Sequence, residues 1–184
     1  MLDAQIVGRA ASDGSSEKME LQLAAGGAVQ KLALYHADGA GIPASVVTLA
    51  EQAYPGAKIK HYETEMYGDG ERVWEVAVTT AEGKECELSA TATALQYKEC
   101  KLTEAELPKA VVEAVERIYP VGTIEKAESK EYANPLAAGV TVYALTVKSG
   151  SQSYYVLTSP DGGVLNQFRI LTAKIKVELP SAAP

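Results

Sequence analysis

Histidine and cysteine are scarce in this chain, with two of each among 184 residues, and phenylalanine and tryptophan occur once each. Few histidines leave few groups suited to general base work near neutral pH. Two cysteines, Cys86 and Cys100, cannot build a disulfide framework, and their spacing fits no zinc motif. Basic residues are also short: 17 Lys and Arg stand against 24 Asp and Glu, a formal net charge of −7. Phosphate backbones are held by a basic face, so nucleic acid is excluded as the expected partner. The same acidity disfavours an anionic membrane surface. No apolar run approaches the roughly 18–20 residues of a membrane span. The opening residues, Met1-Leu2-Asp3-Ala4-Gln5, lack the basic segment and apolar run of an export signal. The expectation is therefore a cytoplasmic protein or a sequence that starts after a removed signal. Glycine pairs such as Gly26-Gly27 join strand to strand and open no helix, so no phosphate cradle is expected.

What is present is an internal repeat, the first pattern to seek in any sequence. Pro43 to Pro55 resembles Pro108 to Pro120 at a constant offset of 65. Val46 falls on Val111, Val47 on Val112, Ala50 on Val115 and Tyr54 on Tyr119. Each block reads as a helix with proline at its start, where a missing N–H costs nothing. Val46, Val47, Ala50 and Tyr54 make one apolar stripe. Tyr-Pro ends each block, because the residue before proline is pushed out of the helical region. Thr103 with Glu106 makes a capping-box pattern ahead of the second block. Helices are expected over 43–54 and 104–119.

Strand chemistry follows each helix. Residues 57–66 alternate around Ile59, and Gly68-Asp69-Gly70 turns. Trp74, Val76 and Val78 then share one face, and Cys86, Leu88 and Ala90 follow with Glu85, Glu87 and Ser89 opposed. In the second block Tyr143, Leu145 and Val147 match Trp74, Val76 and Val78 at an offset of 69. About four residues are thus inserted, placed at Ala133-Asn134-Pro135-Leu136. Asp161-Gly162-Gly163 makes the last clear turn. In the first forty residues Met19, Leu21 and Leu23 alternate, then Leu32 and Leu34, as two strands without a helix. Ile6-Val7 and 174–179 are further strand candidates that can pair or cover sheet edges.

The run helix, Tyr-Pro-Gly-Ala-Lys-Ile, glutamate-rich strand, Trp-Glu-Val and Gly-Lys-Glu resembles the PepSY-like domains, including the β-lactamase-inhibitor-protein-like group. The match is best from Pro43 to about Lys101. It is looser from Leu107 to about Leu171, where Pro120-Val121-Gly122 replaces Pro-Gly-Ala and Tyr143-Ala144-Leu145 replaces Trp-Glu-Val. The resemblance implies an exported, periplasmic or extracellular protein that binds or inhibits another protein rather than catalysing a reaction. It names no target, and no functional residue carries over from it.

The fold class expected is α+β, in tandem helix-plus-antiparallel-sheet repeats with helices packed on one face of a curved sheet. The divisions are 1–42 as a partial hairpin unit, 43–102 and 103–179 as full units, and 180–184 as a tail. Candidate partner-binding residues are Tyr62, Tyr67, Tyr97, Tyr132 and Tyr154, at outward or loop positions, because tyrosine is large, stiff and amphipathic. Glu63, Glu65, Glu75, Glu85 and Glu87 join them, with His61, as an acidic patch on the outward sheet face. The patch suits a basic surface or a cation, and the plain alternative is a solvated strand face. His36 reads as a loop residue and Trp74 as core. Cys86 and Cys100 are either a disulfide suited to an oxidising compartment or two buried thiols suited to the cytoplasm. No cofactor and no catalytic residue is expected. The function expected is a non-catalytic exported module binding an unidentified protein through the open sheet face, with a small-ligand or cation sensor as the alternative.

Overall fold

The computed structural model describes residues 2–6, 18–23, 28–133 and 137–170. The strands are β1 (Leu2–Ile6), β2 (Lys18–Leu23), β3 (Val29–His36), β4 (Lys58–Tyr67), β5 (Arg72–Thr79) and β6 (Glu85–Ala90). They continue as β7 (Leu95–Leu102), β8 (Thr123–Tyr132), β9 (Thr141–Ser149), β10 (Gln152–Thr158) and β11 (Val164–Ile170). Helix α1 (Ala44–Ala53) lies between β3 and β4, and α2 (Lys109–Ile118) lies between β7 and β8.

All eleven strands form one antiparallel sheet in sequence order. Among the described residues β1 and β11 are its two edges, so this sheet does not close on itself. This overturns the expectation of tandem helix-plus-sheet repeats. The reason is the β7–β8 pairing, which runs from Tyr97↔Tyr132 to Leu102↔Ala127. Six ladder positions there leave no edge between the two halves, and unpaired strand edges are costly to leave open. The candidate strand at 174–179, the turn at Gly26-Gly27 and the insertion at Asn134-Pro135-Leu136 lie outside the described residues.

Both helices sit over the same sheet face. Val46 and Ala50 of α1 pack on Trp74, Val76, Val78, Cys86, Leu88 and Ala90. Val111 and Val115 of α2 pack with Leu107 on Ala127, Leu145, Val147 and Val156. Leu88, Leu145, Val46 and Val111 are fully buried. Each such side chain contributes about 1.5–3 kcal/mol relative to exposure. The helices end alike: the N–H of Tyr54 donates to the Ala50 carbonyl and that of Tyr119 to the Val115 carbonyl. Both tyrosines then lie down on the sheet. The Tyr54 hydroxyl donates to the Glu87 carbonyl at 3.2 Å, and the Tyr119 ring sits 4.6 Å from that of Tyr154.

Two local corrections follow. Thr103 and Glu106 do form a capping box, but it closes a separate 3₁₀ turn over Glu104–Glu106. Pro108 then caps α2, which begins at Lys109, five residues later than the expected 104. His36 is the last residue of β3, paired with Tyr62, and not a loop residue. Cys86 and Cys100 are directly opposite on β6 and β7 and form a disulfide. The β10–β11 turn presses on α2. A Cβ on Gly162 would come 2.3 Å from the Ala110 carbonyl oxygen, and Gly162 has φ 83°. Only glycine fits both the left-handed backbone and that approach.

Candidate functional site

The sheet face opposite the helices carries the polar chemistry. Strand alternation places one row of side chains there in register: Tyr35, Glu63, Glu75, Ser89, Tyr97 and Tyr132, each opposite the next. A second row runs His61, Ala77, Glu87, Glu99 and Lys130. Glu65, Lys31, Tyr67, Glu85, Lys101 and Glu128 flank these rows.

No helix covers this face, yet its centre is buried. Glu65 is 2% exposed, Glu63 6%, Ala33 0% and Ser89 1%. The cover comes from the long side chains of the face itself, packed above small residues. Tyr97 reaches across Ser89 to hydrogen-bond Glu75. Tyr67 donates to Glu65 Oε2 at 2.7 Å, and Lys31 pairs with Glu65 Oε1. Tyr35 donates to Glu20 at 3.0 Å. Lys130 pairs with Glu99 at 2.7 Å and sits 3.8 Å above the Tyr97 ring, a cation–π contact.

Burial and crowding of like charge set the protonation. Burial, then the neighbouring Glu75 and Glu65 carboxylates, push the Glu63 carboxyl up to about 8. Burial and Glu65 raise Glu75 as well, against the hydrogen bond from Tyr97. Glu87 is raised by burial and by Glu99, and so is Glu128. The phenols of Tyr35, Tyr67 and Tyr97 are raised, first by burial and then by the carboxylates they touch. They therefore act as hydrogen donors at all ordinary pH. For Lys31, burial lowers the ammonium, but the bond to Glu65 and the surrounding carboxylates outweigh it and leave it raised.

A cleft of ≈ 160 Å³ opens beside these rows, lined by Lys60, His61, Glu85, Glu87, Glu99, Lys101 and Glu128 among others. That is below the roughly 300 Å³ at which small-molecule pockets begin. It accommodates a side chain. The His61 ring lies 5.7 Å from that of Tyr35.

The expected patch is thus gathered in part. Glu63, Glu65, Glu75, Glu85, Glu87, Tyr67, Tyr97 and Tyr132 share the helix-free face. Glu63 and Glu65 are buried in a bonded network, not solvated. Tyr62 and Tyr154 are not on that face: Tyr62 packs against the α1 core and Tyr154 against the α2 core. The cause for Tyr62 is a β-bulge between Ile59 and His61. An extra residue in one strand reverses the alternation beyond it, so Ile59 and Tyr62 both face α1. Sequence reasoning missed Lys31, Tyr35, Glu99, Lys130 and Glu128. The alternation of β7 and β8 carried the signal for the last three.

An open antiparallel sheet with helices on one face and a carboxylate–phenol network on the other defines the class of this protein. Within it, residues 43–92 match the PepSY family, described as peptidase propeptide and YPEB domain. The chain shares its fold with a BLIP-like protein of Bacteroides fragilis, at 22% identity and TM-score 0.55 over 75% of this chain and 92% of that one. It also shares it with a DUF2874 family protein of Bacteroides ovatus, at 14% identity and TM-score 0.56, over 69% and 86%. A third, described as a candidate periplasmic protein of Bacteroides eggerthii, has 19% identity and TM-score 0.54 over 70% and 88%. No curated protein matches the chain. No helix among the described residues is long and apolar enough to cross a membrane.

Proposed function

We propose that this protein is a non-catalytic, exported module that binds another protein through its helix-free sheet face. The observation that carries this reading is the face itself. It is spread over β3 to β8, it is preorganised by its own hydrogen bonds, and it presents tyrosines beside a glutamate-lined cleft sized for one side chain. Preorganised aromatic and charged side chains lose little freedom on docking, which is where affinity is gained. The fold shared with the BLIP-like protein and the PepSY match support the same class. The disulfide between Cys86 and Cys100 suits an oxidising compartment such as the periplasm.

The partner expected is a protein that presents a basic loop, because Glu85, Glu87, Glu99 and Glu128 outnumber Lys60 and Lys101 around the cleft. Capture from a native envelope extract tests this when wild type is compared with Glu87→Lys and Tyr132→Ala. A partner recovered by wild type, lost from both variants and kept by Lys109→Glu on the exposed side of α2 is the expected result. Equal recovery by all four proteins overturns the proposal.

A further inference from the structure

The geometry points to a divalent-cation site, best matched to calcium, formed by Glu63, Glu65 and Glu75 with Ser89. One carboxylate oxygen from each glutamate lies within 4.8 Å of the other two. Glu63 and Glu75 face each other across β4 and β5, and Glu65 is two residues along β4 on the same face. Carboxylate and hydroxyl oxygens suit a hard cation. Magnesium dehydrates reluctantly and keeps several waters, for which this buried cluster leaves little room, whereas calcium accepts more protein oxygens in flexible geometry.

An acidic cluster alone would not carry this reading. The second observation is Ser89. Its hydroxyl oxygen is buried and has no hydrogen-bond partner, and the residue is 1% exposed. Ser89 stands directly opposite Glu75 across β5 and β6. Directly opposed residues point to the same side of the sheet, so its hydroxyl joins the carboxylates from below the Tyr97–Glu75 bond. A buried hydroxyl without a partner costs on the order of 1–3 kcal/mol. A hard cation beside it removes that cost by taking its lone pair.

The charge balance agrees. Among the three buried carboxylates the paired cation is Lys31, held by Glu65. Its side chain is 20% exposed and long enough to swing toward solvent. A calcium ion entering the cluster takes the place of the Lys31 ammonium. Tyr67 and Tyr97 remain bonded to Glu65 and Glu75 and orient them, as outer partners of metal ligands do. The site is independent of the protein-binding reading. Each can fail without the other.

The test is a titration of the chelator-stripped full chain with calcium by calorimetry, alongside tyrosine-sensitised terbium luminescence. The expected result is one saturable site. Glu63→Gln and Glu75→Gln each weaken it at least tenfold, and Ser89→Ala weakens it several-fold. Glu113→Gln, on α2 over the opposite sheet face, leaves it unchanged. Far-UV circular dichroism confirms that the variants fold. Absence of saturable calcium and terbium binding at millimolar concentration overturns the site. So does wild-type affinity in Glu75→Gln. Unchanged affinity in Ser89→Ala overturns the assignment of its hydroxyl as a ligand.

Discussion

Replacing Lys31 by methionine isolates the energetics of the buried network. Methionine keeps an unbranched stem of similar reach and removes only the ammonium. In the native chain that ammonium pairs with Glu65, whose side chain is 3% exposed. Breaking a buried pair by removing one partner costs about 3–5 kcal/mol, because the other charge is left uncompensated. Lys31 itself keeps 20% of its side-chain exposure, so solvent returns part of that and about 2–4 kcal/mol is expected at pH 8. At about 2–4 °C per kcal/mol for a chain of this size, the melting temperature falls by roughly 5–15 °C. The deficit depends on pH. Lys31 holds the Glu63 carboxyl down, against burial and like charge that raise it. Without Lys31 the folded Glu63 and Glu75 carboxyls are raised further. A raised carboxyl contributes stability that is full below its unfolded pKa and is lost as pH rises through the folded value. The deficit should therefore shrink to about 1 kcal/mol or less at pH 5. Urea unfolding in a chelating buffer at both pH values measures it. Adding Glu65→Gln to the variant should recover more than half of the loss at pH 8. A deficit below about 1 kcal/mol at pH 8, or one equal at both pH values, refutes the account of a buried charge held by Lys31.

Three further outcomes are expected. Glu128 has a raised carboxyl, first from burial and then from Glu99, so its contribution is present at acid pH and fades as pH rises toward 8; Glu128→Gln should flatten the fall in urea midpoint between pH 5 and 8, and a slope parallel to wild type would contradict this. Gly162→Ala meets both a φ of 83° and a 2.3 Å approach to the Ala110 carbonyl oxygen, so a loss of about 2 kcal/mol or more by thermal unfolding is expected, against about 1 kcal/mol for Gly150→Ala, where φ is 62° and the space is open. Reducing the Cys86–Cys100 disulfide, which joins residues 14 apart, should lower stability by about 3 kcal/mol; an unchanged urea midpoint in reductant would show that the cross-link does not constrain the unfolded chain.

The amino-acid pattern alone determined the local structure. Proline at the start and Tyr-Pro at the end bounded α1 to within a residue at each side. Alternation placed Trp74, Val76 and Val78 on the helix-packed face and Glu75, Glu85 and Glu87 on the other. These are short-range consequences of backbone periodicity, and any such segment carries them. The tertiary structure decided what periodicity cannot express. Pairing of β7 with β8 merged the expected units into a single sheet, because hydrogen bonding between strand edges depends on which edges meet and not on side-chain pattern. Bulges at Ile59–His61 and Ile124–Lys126 reset the alternation, turning Tyr62 toward α1. A single added residue is invisible in composition, yet it reverses every side chain after it. Burial of Glu63 and Glu65 was equally illegible. Glutamates on alternating positions look solvated in sequence, and only the approach of Lys31 from β3, Tyr97 from β7 and Tyr67 from the end of β4 itself removed them from water.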